Sequence, residues 1–123
     1  MTDSWQAATR SHDKLFKLDD ADSYNEVVDL FDKYTEQVTG HLPTPMMSMA
    51  GVKANQRVLD IGTGTAVVAL EVARKLGEEG QVVGIDLSDG MLATANEKAD
   101  KEGLAAKAEF LKMDAEALEF EDN

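Results

Sequence analysis

The sequence predicts an α/β fold, a three-layer α/β/α arrangement around a parallel sheet whose strands lie in the spatial order 3-2-1, preceded by helices. Two observations predict it. Three short apolar runs, at residues 57–61, 81–86 and 107–113, each bring an aspartate to or near their end: Asp60, Asp86 and Asp114. Between them lie two helix-forming stretches, 65–76 and 89–102, rich in Ala, Leu, Val, Glu and Lys. Strands that alternate with helices pair in parallel through right-handed crossovers, which fixes the strand order.

The elements before the first strand are helical. Residues 3–18 carry Trp5, Ala8, Leu15, Phe16 and Leu18 at imperfect helical spacing and suit a surface helix. The stretch LDDADS at 18–23 reads as a turn, with Ser23 as helix cap and Glu26 completing a capping box. From 24 to 38 the apolar set Val27, Val28, Leu30, Phe31, Tyr34 and Val38 describes one face of a second helix, ended by Gly40. The two prolines that follow predict a stiff connection outside any helix. Met46, Met47, Met49, Ala50 and Val52 then make a short apolar helix, and 53–56 is a polar turn into the first strand.

In the strand half, Gly62, Thr63 and Gly64 make a tight turn, and 65–76 continues as a helix free of Gly and Pro. GEEGQ at 77–81 stops that helix. After the second strand, Ser88 is a ready N-cap for a helix whose buried face is Met91, Leu92, Ala95 and Ala99, and Gly103 ends it before the third strand. The chain divides into a helical lid segment, 1–50, and a partial sheet domain, 51–123.

Composition limits what such a domain can meet. The 123 residues hold 24 acids against 12 bases, a formal charge of −12. Nucleic acid and anionic membrane surfaces both require clustered Lys and Arg, so neither is expected as a partner, and a small neutral or cationic molecule is. With no cysteine, disulfides and thiolate metal sites are excluded. His12 and His41 are isolated and predict no metal site, although His41 beside the prolines is a candidate general base against the reading of a loop histidine. The opening residues lack the basic start and apolar core of an export signal, and no apolar run reaches the roughly 20 residues of a membrane span. A cytoplasmic protein is expected.

The turn is where chemistry is expected. A strand, a glycine turn and a helix place free backbone N–H groups and a helix N-terminus beside a ligand, and glycines let the ligand approach the backbone. Asp86, about 20 residues beyond the glycines at the end of the neighbouring strand, is placed to accept hydrogen bonds from both hydroxyls of a ribose. Asp60, a carboxylate within an apolar strand, is costly unless paired. It either serves a ligand or caps the N–H groups of the following turn. Asp114 is either a third ligand-facing acid or the cap of the AEAL turn.

VLDIGTGTA, VVGIDLSDGMLATA and EFLKMDAEAL, in that order and spacing, resemble the first three motifs of class I S-adenosylmethionine-dependent methyltransferases. The likeness is greatest to the small-molecule type of ubiquinone and menaquinone biosynthesis and of polyketide tailoring. The resemblance implies a Rossmann-like domain with S-adenosylmethionine as cofactor. It implies Gly62, Thr63 and Gly64 at the methionine half and Asp60 at the amino group. Leu87 and Met91 would flank the adenine, and Asp114 with the Ala115 N–H would read its edge. Tyr34 resembles an aromatic residue that some relatives place over the cofactor, but it equally fits the apolar face of its helix. Ala66 stands where a third glycine is common, and Glu119 and Glu121 stand where relatives often have proline.

In the family the sheet continues into a fourth strand beside the first and then into the substrate half. Here the N-terminal half is expected alone, so the first strand would keep an unpaired edge. Self-association along residues 58–61, from Val58 to Ile61, is the expectation that follows. No residue is nominated as catalytic. Two further readings remain open: a non-catalytic half-domain completed by itself or a partner, and an NAD-binding oxidoreductase domain. The latter shares the glycines and Asp86 but gives Asp60 and Asp114 no role.

Overall fold

The computed structural model describes residues 4–122, with side chains from Lys14 onward. Trp5, Ala8 and His12 therefore lie outside the described side chains. The order is α1 (Ser4–Asn25), α2 (Val28–Thr39), α3 (Pro43–Ala50), β1 (Arg57–Ile61), α4 (Val67–Lys75), β2 (Gln81–Asp86), α5 (Asp89–Lys101) and β3 (Ala108–Lys112). The three strands form one parallel sheet with β2 in the middle, the order read from the sequence.

The register sorts the side chains by face. Val58 pairs with Val82 and Val82 with Ala108, while Asp60 pairs with Gly84 and Gly84 with Phe110. Successive strand residues point to opposite faces, so this set shares one side of the sheet. Val82, Ala108 and Phe110 pack there with Ala69, Leu70, Val72 and Ala73 of α4 and Ala95 and Ala99 of α5. Four alanines on the inner helix faces let both helices sit close to the strands, and Leu70, 1% exposed, fills the space between them. Burying such a side chain contributes about 1.5–3 kcal/mol. On the other side of the sheet Leu59 and Ile61 are exposed, and the outer edge of β1 has no ladder partner among the described residues.

Outside the core, Arg74 ties α4 to α5. Its guanidinium donates to both carboxylate oxygens of Glu102 at 2.7 Å and to Glu71 at 2.8 Å. The bidentate pair holds the Glu102 carboxyl below its ordinary range, the single Arg74 bond does the same for Glu71, and both raise the guanidinium further. No described helix is long and apolar enough to cross a membrane.

The helical half differs from expectation in three places. α1 runs through LDDADS to Asn25, so Ser23 caps nothing; its hydroxyl donates to the Asp20 carbonyl at 2.6 Å. The stretch lacks Gly and Pro, and its Ala21 is buried. The break comes later, where Asn25 is diverted to a tertiary partner described below. α2 then starts without a side-chain cap.

The prolines also lie inside a helix rather than outside one. Pro43 takes the first position of α3 and Pro45 follows in its first turn, where the missing N–H has no carbonyl to lose. On α2, Val28 is buried, but Leu30 and Tyr34 are 72% and 61% exposed, so Tyr34 is not core. Of the methionines, Met47 joins the core while Met49 is exposed.

Candidate functional site

β1 ends at Ile61, and the chain turns through Gly62 and Gly64, both in the left-handed region at φ +71° and +57°. Only glycine adopts that conformation without strain. Ala66 takes the same left-handed conformation at the cost of strain, at φ +69°, as the N-cap of α4, and it is fully buried. Position 66, where relatives commonly have a third glycine, needs a residue that accepts the left-handed region. The helix accordingly begins at Val67 rather than Thr65.

Three contacts fix the turn. The Thr63 N–H donates to the Ile85 carbonyl at 2.9 Å, the Thr63 hydroxyl donates to Asp60 Oδ2 at 2.9 Å, and the Gly64 N–H donates to Asp86 Oδ2 at 2.9 Å. The other Asp86 oxygen accepts from the Ser88 N–H at 3.0 Å. One carboxylate at the end of β2 thus joins the glycine turn to the start of α5. Asp60 sits beneath the first turn of α4. Burial pushes its carboxyl above the ordinary range, and the nearby Asp86 charge adds to this; the Thr63 hydroxyl and the Ala69 backbone N–H oppose it.

Two cavities meet at Gly62. The first, about 370 Å³, lies at the carboxyl end of β2 and β3 and takes in Gly62, Asp86, Leu87, Asp114 and Ala115. The second, about 280 Å³, lies on the other side of the turn and takes in Asp60, Gly62, Thr63 and Gly64. Eight of the nine residues read from the sequence therefore come together around one glycine. Met91 does not: it is 3% exposed in the buried face of α5 and lines neither cavity. Asp114 is in place, yet it also serves its own turn, accepting from the Glu116 N–H at 2.9 Å.

Residues of α1 and α2 complete the site and were not legible beforehand. Phe16, Lys17, Asp20, Ala21 and Tyr24 of α1 close the first cavity. Lys17 pairs with Glu116 and approaches Asp114 at 3.6 Å, latching α1 to the rim after β3. At the end of α1, Asn25 Oδ1 accepts from the Ser88 hydroxyl and from the Gly90 N–H, both at 2.8 Å, while the Ser88 hydroxyl itself accepts from the Met91 N–H. Asn25 thus shares the capping of α5, which holds α1 over the strand ends.

Phe31 lies beside the glycine turn: its ring would stand 4.0 Å from a Cβ placed on Gly64, and it lines the second cavity. Its ring meets the edge of Tyr24 with centroids 5.8 Å apart. Tyr34, the aromatic the sequence suggested, lines neither cavity. Periodicity could place both aromatics on one helix face, but it could not tell which would face the turn. His41 is exposed and lines neither cavity.

The sequence matches the methyltransferase domain family over residues 58–123. The ubiquinone/menaquinone biosynthesis C-methyltransferase UbiE of Serratia proteamaculans is 42% identical over 74 residues, covering 60% of this chain and 30% of that protein. The chain spans about 30% of the length of that curated relative. Among solved structures, a SAM-dependent methyltransferase from Aquifex aeolicus superposes with a TM-score of 0.68 at 28% identity, covering 80% of this chain and 52% of that one. The [4+2]-cyclase SpnF superposes with a TM-score of 0.64 at 32% identity, over 71% of this chain and 31% of that one. With more than half of its length matched, and the glycine turn and three strand ends arranged as described, the chain belongs to the methyltransferase domain family, of the class I S-adenosylmethionine-dependent kind.

Proposed function

We propose that this chain is the cofactor-binding part of a methyltransferase that acts on a small molecule. One observation carries the reading: two cavities share Gly62, with Asp86 and Asp114 in one and Asp60 in the other. A nucleoside joined to an amino acid fits such a bend. A Cβ built at Gly62 would meet nothing within 4 Å, so the space beside the turn is open to a ligand.

When bound, S-adenosylmethionine supplies a methyl group on a cationic sulfur. The chain's own residues do the rest. Asp86 keeps lone pairs beyond those given to Gly64 and Ser88, and these can accept from ribose hydroxyls. Leu87 would hold the base from the side, and Asp114 and the Ala115 N–H would hold its edge; all three line the first cavity. Asp60, oriented by the Thr63 hydroxyl, would hold the amino group. Asp20, Asp60, Asp86 and Asp114 together favour a cation over an anion. Phe16 and Tyr24 of α1 add apolar surface to the first cavity. Methyl transfer needs alignment above all, which a rigid turn provides.

The likeness to SpnF is a reminder that the fold alone does not specify the reaction. Thermal shift with S-adenosylhomocysteine and NAD tests the reading. A ligand at 100 times its Kd stabilises by about 2.7 kcal/mol. Stabilisation of that size by the homocysteine nucleoside and none by NAD is expected; the reverse would replace this reading with the oxidoreductase one.

A further inference from the structure

α1 meets α5 through a close-fitting joint. Asn25 Oδ1 accepts from the Ser88 hydroxyl and from the Gly90 N–H, each at 2.8 Å, and the Asn25 amide donates to Asp22 Oδ1 at 3.4 Å. Gly90 is bare where they touch: a Cβ there would stand 2.7 Å from Asn25 Oδ1 and 3.1 Å from the Asn25 Cα. A side chain at that position would push the acceptor away.

Ser88 lies between this joint and the first cavity. It is 1% exposed and its hydroxyl is fully used, with the proton given to Asn25 Oδ1 and a lone pair accepting from the Met91 N–H at 3.2 Å. The Ser88 N–H in turn donates to Asp86 Oδ1 at 3.0 Å, while Asp86 Oδ2 accepts from the Gly64 N–H at 2.9 Å. The carboxylate is thus held from two sides, and one of them leads back to α1. Without the Asn25 oxygen, the Ser88 proton loses its partner where water cannot replace it, and the start of α5 has to shift to satisfy it.

We infer that Asn25 is a positioning residue for the ribose acceptor: through Ser88 it keeps the Asp86 carboxylate in the orientation that accepts from both hydroxyls of a bound nucleoside. The inference rests on the methyltransferase reading and adds to it a residue that lines neither cavity. Asn25 acts on the ligand only through Asp86. Its loss should therefore weaken the hydroxyl contacts selectively, which a general loss of stability does not do.

The test measures, by calorimetry on the 123-residue chain, the affinity ratio between S-adenosylhomocysteine and its analogue lacking both ribose hydroxyls. The ratio isolates the hydroxyl contacts, because the two ligands are otherwise the same. In the wild type a ratio of about ten or more is expected, as for hydrogen bonds to a charged group. In Asn25→Ala it is expected to fall to about three or less, and Asn25→Asp, which keeps the acceptor at the positive end of α5, restores it. Glu102→Ala loosens α5 at its other end by removing the partner of Arg74 and is expected to leave the ratio unchanged. In Asp86→Asn the ratio is already small, and adding Asn25→Ala lowers it no further. Should Asn25→Ala not fold, Gly90→Ala, which sets a Cβ against Asn25 while favouring the helix, is expected to lower the ratio in its place.

A folded Asn25→Ala that keeps the wild-type ratio overturns the inference. So does an equal fall in Glu102→Ala, which would reduce the effect to stability alone. A wild type that binds both ligands equally removes Asp86 from the ribose and the inference with it. A wild type that does not bind S-adenosylhomocysteine at all overturns the methyltransferase reading itself.

Discussion

Asp86 accepts a hydrogen bond from the Gly64 N–H at 2.9 Å, across 22 residues of sequence. The contact makes one carboxylate both the lock of the glycine turn and, through Ser88, the start of α5. An acid that shapes the turn and also receives a ligand should show both roles when altered. Asp86→Asn keeps one acceptor and loses the charge. Its stability is expected to fall by about 1–2 kcal/mol, measured by urea unfolding. S-adenosylhomocysteine affinity in calorimetry is expected to fall roughly tenfold or more.

Asp60 should behave in the opposite sense for stability. Its folded-state pKa lies above the ordinary 3.8 because of burial. The folded protein therefore holds the proton more tightly than the unfolded chain, and the wild type loses stability as pH rises from 3.8 through the raised value. Asp60→Asn keeps an oxygen for Thr63 and removes the buried charge. It is expected to be more stable than wild type at pH 7, an advantage that vanishes by about pH 3.8, while binding S-adenosylhomocysteine more weakly. Melting curves across pH check the first part and calorimetry the second.

The left-handed backbone at Ala66 makes a separate prediction. Glycine there relieves about 1–2 kcal/mol of strain but adds chain entropy and removes a buried methyl. Ala66→Gly is expected to stay within about 1 kcal/mol of wild type. Ala66→Val adds a β-branch in that conformation to a position with no exposed surface, and a loss of roughly 3 kcal/mol is expected. Chemical denaturation of both variants distinguishes the two effects.

Asn25 predicts how α1 is held. Asn25→Ala removes the acceptor shared by the Ser88 hydroxyl and the Gly90 N–H. A loss of about 1–3 kcal/mol is expected, together with faster amide hydrogen exchange in α1. The interior of α4, which Asn25 does not touch, should keep its protection.

Leu59 and Ile61 are exposed, and β1 has no ladder partner at its outer edge among the described residues, which supports the self-association expected from sequence. We propose that the chain dimerises through β1. Sedimentation should show a dimer that dissociates on dilution, and Leu59→Lys should shift it to monomer. A monodisperse monomer at all concentrations would remove the proposal.

The strand half was legible because each strand is a self-contained signal: an apolar run with an acid near its end and a glycine or polar loop after it. Ser88 as cap of α5 was legible for the same local reason. The helical half was not. The boundary between α1 and α2 is decided by Asn25, whose partner Ser88 lies 63 residues away, so the local capping pattern at Ser23 misled. The apolar face of α2 was visible, but which of its aromatics meets the turn depends on how the helix is rotated against α5. Lys98 sets that rotation by pairing with Asp32 at 2.9 Å and Glu36 at 3.1 Å. Met91 was misplaced because a residue on the buried face of a helix and one beside a ligand share the same spacing. The need for a left-handed residue at Ala66 leaves no mark in composition.

Titration of S-adenosylhomocysteine into isotope-labelled protein, followed residue by residue by amide NMR, tests the central claim most directly. One-to-one binding is expected, with the largest shifts at Gly62, Gly64, Asp86, Leu87 and Ala115, on both sides of the Gly62 junction. Shifts confined to the far end of the sheet, around Arg57 and Gln81, or no shifts at saturating ligand on folded protein, would contradict it.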